Sequence, residues 1–391
     1  MNQVSEKSDL LSVAETNAPL RFAVDASQLA GDTDGLSRYL TELLVRLVAA
    51  TADTVHWTLF TRQPLDRWEK FPNVDVIADR LPKHLGRITW QLLLASRKLK
   101  GHHFDLLWAP TQRIPRGIPD SLPIVVTVHD LAWIKAPKTM RITSRVMDRL
   151  LMPASNRKNV SAIAVSQSTA TDLSELLDVS REQITVVHNG AAKLAQPNLT
   201  ASTDKPPLSG RQYFLFVGTI EPRKNTERLL LAYHKARQAR PRFPALVIVG
   251  EKGWGQRPLS RYINELELND DVFVAGKVTN ESLHVHYQNA LAVVLPSLYE
   301  GFGLPLAEGM QYGLPLLTSN RSCLPEVAGD AGLLVDPISI QDIATGMTRL
   351  ATEPALTEGL RQKSRSRGAL FSWEKSAQET LNVLLGAARQ R

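Results

Sequence analysis

Residues 295–325 read LPSLYEGFGLPLAEGMQYGLPLLTSNRSCLP, and this stretch decides the fold. The apolar run at 290–295 predicts a buried strand, and Glu300-Gly301-Phe302-Gly303 follows it as a glycine turn. A short helix then opens with Pro305 near its first position and closes at Gly313. Proline at the entry and glycine past the exit is the asymmetry helices favour. Strand, glycine turn and helix N-terminus together offer free backbone N–H groups and a positive dipole end to an anion. Two carboxylates frame the turn: Glu300 before it and Glu308, expected in the first helical turn. Acids beside a phosphate site repel the phosphate, so these two are expected to address neutral hydroxyls, which a carboxylate can accept side by side. The pattern points to a ligand carrying both a phosphate and a sugar. Read alone, Glu308 is only a favourable acid near a helix start. Its register with Glu300, Gly301 and Gly303 favours the ligand.

Outward from this stretch the chain alternates strand and helix. In the first half, 22–26 predicts a strand, the loop at 31–35 follows, and Leu40, Leu43, Leu44, Leu47 and Val48 recur at the helical period across 36–50. Strand, glycine loop and helix begin a Rossmann-like unit. Further strands are expected at 55–61, 74–78, 105–109, 124–128, 163–165 and 184–187. The 124–128 run is almost wholly apolar, as a parallel strand covered on both faces should be. It ends at His129-Asp130, the place where open α/β sheets put ligands. His129 can exchange hydrogen bonds with a sugar hydroxyl; the competing reading is a satisfied histidine at a strand end. Asp130 orients His129 or caps the next turn, Ser168 is expected to cap the helix after 163–165, and His188 reads as structural. Asp32-Thr33-Asp34 reads as a loop with Asx turns rather than a metal site, and no metal is expected.

A second strand–helix series starts at 213–217. The turn 218–225, GTIEPRKN, puts Arg223 and Lys224 between a strand and the helix 226–237. Two cations there suit a diphosphate leaving group, which gains charge as its bond breaks. Two solvated surface cations are the plain alternative. Strands at 246–249, 272–275, 316–318 and 332–335 and a polar helix at 280–289 complete the series. The expected division is a polar tail at 1–20, a first Rossmann-like domain at 21–190, a proline-rich linker at 191–210, a second domain at 211–370 and a helical segment at 371–391.

These residues resemble a known family. Glu300-Gly301-Phe302-Gly303-Leu304-Pro305-Leu306-Ala307-Glu308 is similar to the E-x7-E motif of retaining glycosyltransferases of family 4. Residues 127–133, TVHDLAW, are similar to that family's histidine motif, and 218–225 to its diphosphate-clamping turn. The resemblance implies the GT-B architecture, an α/β fold of two Rossmann-like domains facing across a cleft, with a last helix, begun by 371–374, crossing back to the first domain. It implies a nucleotide-sugar donor bound mainly by the second half, with Glu300 on the donor sugar, Glu308 on the ribose, and the backbone of Gly301, Phe302, Gly303 and Leu304 on sugar and diphosphate. Arg223 and Lys224 clamp the diphosphate, His129 contacts the sugar, Val278 lies where the backbone meets the base, and Gly35 belongs to the loop near acceptor and donor phosphates. Arg38 and Tyr39 match that loop's second part, Asp32–Asp34 departs from it, and Thr219 stands where the family often has arginine. No cofactor is implied, the nucleotide sugar being a substrate. The acceptor is a glycan or lipid-linked saccharide. The combined motifs look like bacterial mannosyltransferases of O-antigen and exopolysaccharide assembly, so GDP-mannose is the expected donor. Rhamnosyl or glucosyl donors, a nucleotide-sugar epimerase on the same fold, and a non-catalytic nucleotide-sugar-binding scaffold are the alternatives.

Composition sets bounds. The 391 residues are 43% hydrophobic and 22% charged, as in an ordinary soluble protein, and suffice for two or three domains. The sole cysteine, Cys323, excludes an internal disulfide framework and a cysteine-rich zinc site. No apolar run approaches the ~20 residues of a membrane span, and the N-terminus lacks a secretory pattern, so a cytoplasmic location is expected. The net charge of +7 is uneven: residues 80–160 hold fifteen Lys and Arg against four Asp and Glu. Within them, 83–100 and 138–158 mix basic and apolar residues at helical spacing. Peripheral contact with an anionic membrane and a solvated helix face are both open readings. No nucleic-acid module is present, so no nucleic-acid partner is expected.

Overall fold

The computed structural model describes residues 18–29, 35–78, 99, 102–194, 208, 210–240, 242–255 and 257–390. Residues 1–17 of the expected tail, Asp32–Asp34, all but Leu99 of the basic segment at 83–100, and most of the expected linker lie outside the described residues.

The first half builds a parallel sheet from β1 (Leu20–Asp25), β2 (Val55–Thr61), β3 (Val74–Ala78), β4 (Leu106–Ala109), β5 (Ile124–Val128), β6 (Val160–Ala164) and β7 (Ile184–Val186), in the order β3-β2-β1-β4-β5-β6-β7. Successive side chains on a strand face opposite ways, and the core divides accordingly. Phe22, Val24, Leu106 and Trp108 pack on one face, with Leu40, Leu43 and Leu47 of helix α1 (Gly35–Ala50). Ala23, Leu107, Val126 and Val128 pack on the other. Helix α2 (Ile142–Leu151) follows β5, and helix α3 (Gln167–Leu177) follows β6. The cap of α3 is Ser166 rather than the expected Ser168: its hydroxyl accepts from the Thr169 N–H at 3.1 Å, while Ser168 already lies inside the helix. The capping oxygen must stand three residues before the N–H it takes, and that offset selects Ser166.

The second half repeats the plan with β8 (Tyr213–Val217), β9 (Ala245–Val249), β10 (Val272–Gly276), β11 (Ala292–Leu295), β12 (Leu316–Ser319) and β13 (Gly332–Val335), ordered β10-β9-β8-β11-β12-β13, all parallel. Its helices are α4 (Thr226–Gln238), α5 (Leu259–Glu265), α6 (Asn280–Asn289), α7 (Leu304–Gln311), α8 (Leu324–Ala328), α9 (Ile340–Thr352) and α10 (Pro354–Gly368). Strand order reverses direction beside β1 and β4 in the first sheet and beside β8 and β11 in the second. Open parallel sheets hold ligands at the carboxyl ends of strands at such points.

Helix α11 (Trp373–Arg389) returns to the first half, where Trp373, Ala377, Leu381 and Leu384 join the core beside α1. The outgoing and returning segments touch: the Ala191 N–H donates to the Phe371 carbonyl at 3.2 Å, and the Ser376 hydroxyl donates to the His188 carbonyl. Two α/β sheets facing across a cleft, with a last helix crossing back, is the architecture expected from the motifs.

Candidate active site

The turn after β11 is fixed by its glycines. Gly303 takes φ +86°, a left-handed conformation that costs glycine little, and serves as the N-cap of α7. Gly301 is excluded from growing a side chain for another reason: a Cβ there would lie 1.5 Å from the carbonyl oxygen of His129, in the opposite half. Leu306, Ala307 and Met310 then bury α7 against the second sheet. Each Leu or Met so buried stabilises the turn's position by roughly 1.5–3 kcal/mol. Glu308 is not in the first turn of this helix, as expected, but one turn further along, because the helix starts at Leu304.

The turn after β8 comes alongside. Leu298 N–H donates to the Arg223 carbonyl at 2.8 Å, and the Asn225 amide donates to the Pro296 and Pro337 carbonyls at 2.9 and 2.7 Å. This brings Glu300, Arg223 and Lys224 into one buried knot. Lys224 Nζ donates to Glu300 Oε1 at 2.6 Å, and Arg223 Nη1 to Glu300 Oε2 at 2.9 Å. Glu221 accepts from Arg223 Nη2 at 2.8 Å, and Asp130 of the first half stands 3.8 Å from Arg223 Nη1. Burial pushes the Glu300 carboxyl up, but Lys224 and Arg223 more than offset this and hold it below the ordinary range. For Arg223, burial opposes the charge, and Glu300, Asp130 and Glu221 more than restore it. The two carboxylates are therefore not bare acceptors awaiting hydroxyls. Glu300 is paired with two cations, and Glu308 accepts from Arg38 of α1 on Oε1 and from the Tyr287 hydroxyl on Oε2 at 2.7 Å. The repulsion expected between these acids and a phosphate is cancelled by their own partners.

Facing the knot, His129 ends β5. Its Nε2 donates to the Pro110 carbonyl at 2.8 Å, and its ring meets Tyr39 edge-on with centroids 4.8 Å apart. Asp130 caps the following turn, accepting from the Ala132 N–H at 3.0 Å, the second of its two expected roles. Gly35 opens α1, with Leu304 of the other half 3.6 Å from where its Cβ would stand. Phe302 is buried edge-on to Phe371, centroids 5.6 Å apart. Val278, just past β10, packs on the second core. Cys323 is buried behind the turn with its Sγ donating to the Glu300 carbonyl at 3.2 Å; burial raises its pKa, so it is inert.

Several joining residues carried no sequence signal, because their partners lie far along the chain. Tyr299 accepts from the Leu131 N–H at 3.2 Å and donates to Asp172 at 2.8 Å, tying the glycine turn to the first half. Glu326 of α8 accepts from the N–H groups of Gln167 and Ser168 at the start of α3, at 2.8 and 3.1 Å, and from His188 Nε2 at 2.7 Å. An acid at a helix N-terminus is favourably placed, and here it belongs to the opposite half. His188 is thus structural, as expected. Among the described residues no cluster of His, Cys, Asp and Glu has a metal-binding arrangement, and no helix is long and apolar enough to cross a membrane. A separate cavity, lined by Ile220, Trp254 and Ile263, includes none of the knot's side chains.

The model for Glycosyltransferase Family 4 matches residues 33–192, and that for Glycosyl transferases group 1 matches residues 200–367. The chain is 27% identical over 374 residues to O-antigen chain mannosyltransferase B of Escherichia coli, covering 89% of this chain and 95% of that one. It is 31% identical over 229 residues to the MMP alpha-(1->4)-mannosyltransferase of Mycolicibacterium hassiacum, covering 56% and 53%. Among solved structures it is similar to sucrose-phosphate synthase of Thermosynechococcus elongatus, at 25% identity and TM-score 0.75 over 94% of this chain and 100% of that one. The Anabaena protein Alr3699/HepE, in complex with UDP and glucose, matches the fold at 17% identity and TM-score 0.71, over 94% and 100%.

Proposed function

We propose that this chain, which belongs to the family 4 and group 1 glycosyltransferases and has their GT-B fold, is a retaining hexosyltransferase that moves mannose from GDP-mannose to a glycan or lipid-linked saccharide. The observation that carries this reading is the Glu300–Arg223–Lys224 knot at the switch point of the second sheet, opposite His129. In the reaction the bond from the anomeric carbon to the diphosphate breaks, the acceptor hydroxyl forms the new bond on the same face, and its proton passes to the departing phosphate. Arg223 and Lys224 turn from Glu300 towards the diphosphate and stabilise the charge it gains. Glu300, released in part, grips the hexose, and the ribose hydroxyls replace Arg38 on Glu308. The amides of Gly301 to Leu304 complete the anion site at the start of α7. His129 holds the hexose from the other side, Val278 marks the base, and Gly35 lies beside the acceptor path. Arg223 and Lys224 supply the charge that a metal would, so turnover needs no added ion.

Mannose is supported by the likeness to the two mannosyltransferases. The likeness to sucrose-phosphate synthase favours a glucosyl donor as the second reading. Calorimetric titration with GDP, UDP and dTDP decides between them: the mannose reading requires the tightest binding by GDP. Transfer from GDP-mannose, followed by NMR of the product's anomeric configuration, tests the rest. Inversion of configuration ends the retaining mechanism, and conversion of the donor with no acceptor present favours an epimerase.

A further inference from the structure

A glutamate carboxylate does not aim itself. Its last torsion joins a tetrahedral carbon to a planar one and is broad, so the plane of the two oxygens must be set from outside. For Glu308 the helix α6 supplies such a group. Tyr287 is fully buried, and its hydroxyl donates to Glu308 Oε2 at 2.7 Å. Burial and the adjacent Glu308 charge push this phenol well above its ordinary range, so it stays a donor. Arg38 takes the other oxygen, Oε1. The two partners differ in kind. Arg38 reaches across from the opposite half and its side chain is 22% exposed, so a ligand can displace it. Tyr287 belongs to the same half as Glu308 and is fixed on every side. Its ring stacks on Tyr312, with planes 15° apart and centroids at 5.3 Å. The Tyr312 hydroxyl accepts from the Leu194 N–H at 3.0 Å and is hydrogen bonded to His284 Nδ1, one turn earlier on α6, at 2.9 Å. The Tyr213 hydroxyl donates to the His286 carbonyl at 2.8 Å and ties α6 to β8. Tyr287 therefore cannot follow Glu308; the carboxylate follows the tyrosine.

We infer that Tyr287 is a positioning residue for the nucleotide: it pins Oε2 of Glu308 so that Oε1 faces the vicinal hydroxyls of the ribose, and the preference for ribose over deoxyribose rests on it. This deepens the reading above, in which the ribose hydroxyls replace Arg38 on Glu308, and it depends on that reading. With Oε2 engaged, Glu308 presents one oxygen in one plane, and a hydroxyl that meets it gains a charge-assisted bond. A nucleotide without those hydroxyls leaves Oε1 to Arg38 and is indifferent to the carboxylate's orientation.

The test is calorimetric titration of the full chain with GDP, UDP and the dideoxyribose analogue of each, which lacks both hydroxyls. The ribose is common to both bases, so the outcome does not depend on which base or hexose the protein prefers. Wild type binds the ribose form at least about tenfold more tightly, the scale of a hydrogen bond to a charged group. Tyr287→Phe keeps the ring on Tyr312 and removes only the hydroxyl. It weakens the ribose form by about tenfold, leaves the dideoxyribose form within about twofold, and so nearly erases the preference. In a Glu308→Gln background the same change costs nothing further, because Tyr287 acts through Glu308. Circular dichroism melting checks that each variant folds. A Tyr287→Phe protein with the wild-type preference overturns the inference. So does an equal loss for both forms, which marks the tyrosine as packing alone, and so does an additive loss in the double variant. These three results leave the ribose on Glu308. A wild type with no preference for ribose removes it from Glu308 and sinks the inference together with the assignment beneath it.

Discussion

Gly301→Ala isolates the closed cleft from everything else in the molecule. The added Cβ would lie 1.5 Å from the His129 carbonyl oxygen and 3.1 Å from the Asp130 Cβ, both in the opposite half. An ordinary C···O approach is about 3.3 Å, so the halves must part locally by about 2 Å. Neither neighbour can yield alone, since His129 ends a strand buried in mid-sheet. At that separation the Tyr299 hydroxyl loses Leu131 and Asp172, now at 3.2 and 2.8 Å. Each half keeps its own core, so the variant folds. The groups proposed to bind the nucleotide sit almost wholly on the second half, so its dissociation constant shifts by no more than a few-fold. The hexose, however, is held from both sides, and a misplacement of about 1 Å typically costs about 100-fold in rate. The expected result is a fall in kcat of about 100-fold with near-normal nucleotide binding and a slightly larger radius of gyration in small-angle scattering. Wild-type turnover in a folded Gly301→Ala protein would refute the reasoning.

Lys224→Ala and Arg223→Ala should each reduce transfer by about 100- to 1,000-fold, as loss of a transition-state charge partner does; unchanged turnover in both removes the clamp. Arg38→Ala relieves Glu308 of a competitor, so calorimetry should find the nucleoside diphosphate bound roughly two- to fivefold tighter, the scale of a partly exposed ion pair; weaker binding would make Arg38 a ligand group instead. Chelation with EDTA should leave turnover unchanged, and loss restored by a divalent ion would overturn the metal-free mechanism. Acidification should weaken the tie between the halves. Burial opposes the Glu326 charge, but the hydrogen bonds from His188, Gln167 and Ser168 hold its pKa below the ordinary 4.5. A carboxyl depressed on folding contributes stability that is complete above its unfolded value and lost as pH falls through its folded one. Urea unfolding should therefore vary little through Glu326 between pH 7 and about 5 and weaken below that. Glu326→Gln should flatten the acid slope, and an identical slope would sink the assignment.

Local chemistry made much of this legible in the sequence. The near-continuous apolar runs of β5 and β11, the proline entry of α7 and the GTIEPRKN turn each declare themselves within a dozen residues. What stayed hidden was charge pairing over long sequence distances. Nothing local tells that Arg38 meets Glu308, 270 residues on, or that Glu326 caps a helix begun 159 residues earlier. The pairing of these acids was missed for the same reason: the sequence reading counted the carboxylates and their near neighbours but not the cations that the fold brings against them. The cap of α3 was missed by two residues because Ser166 and Ser168 are chemically alike, and only backbone geometry separates them.

The paired passages at His188–Ala191 and Phe371–Ser376 have a mechanical meaning. A lobe tethered by one strand can swivel and twist; one held by two bonded side by side turns chiefly about the line that joins them. Opening and shutting then follow nearly a single arc, and every return brings the glycine turn back to the same carbonyl. Slack introduced into either passage would cost alignment at the far lip of the cleft, where a small angular error at the pivot becomes a large displacement.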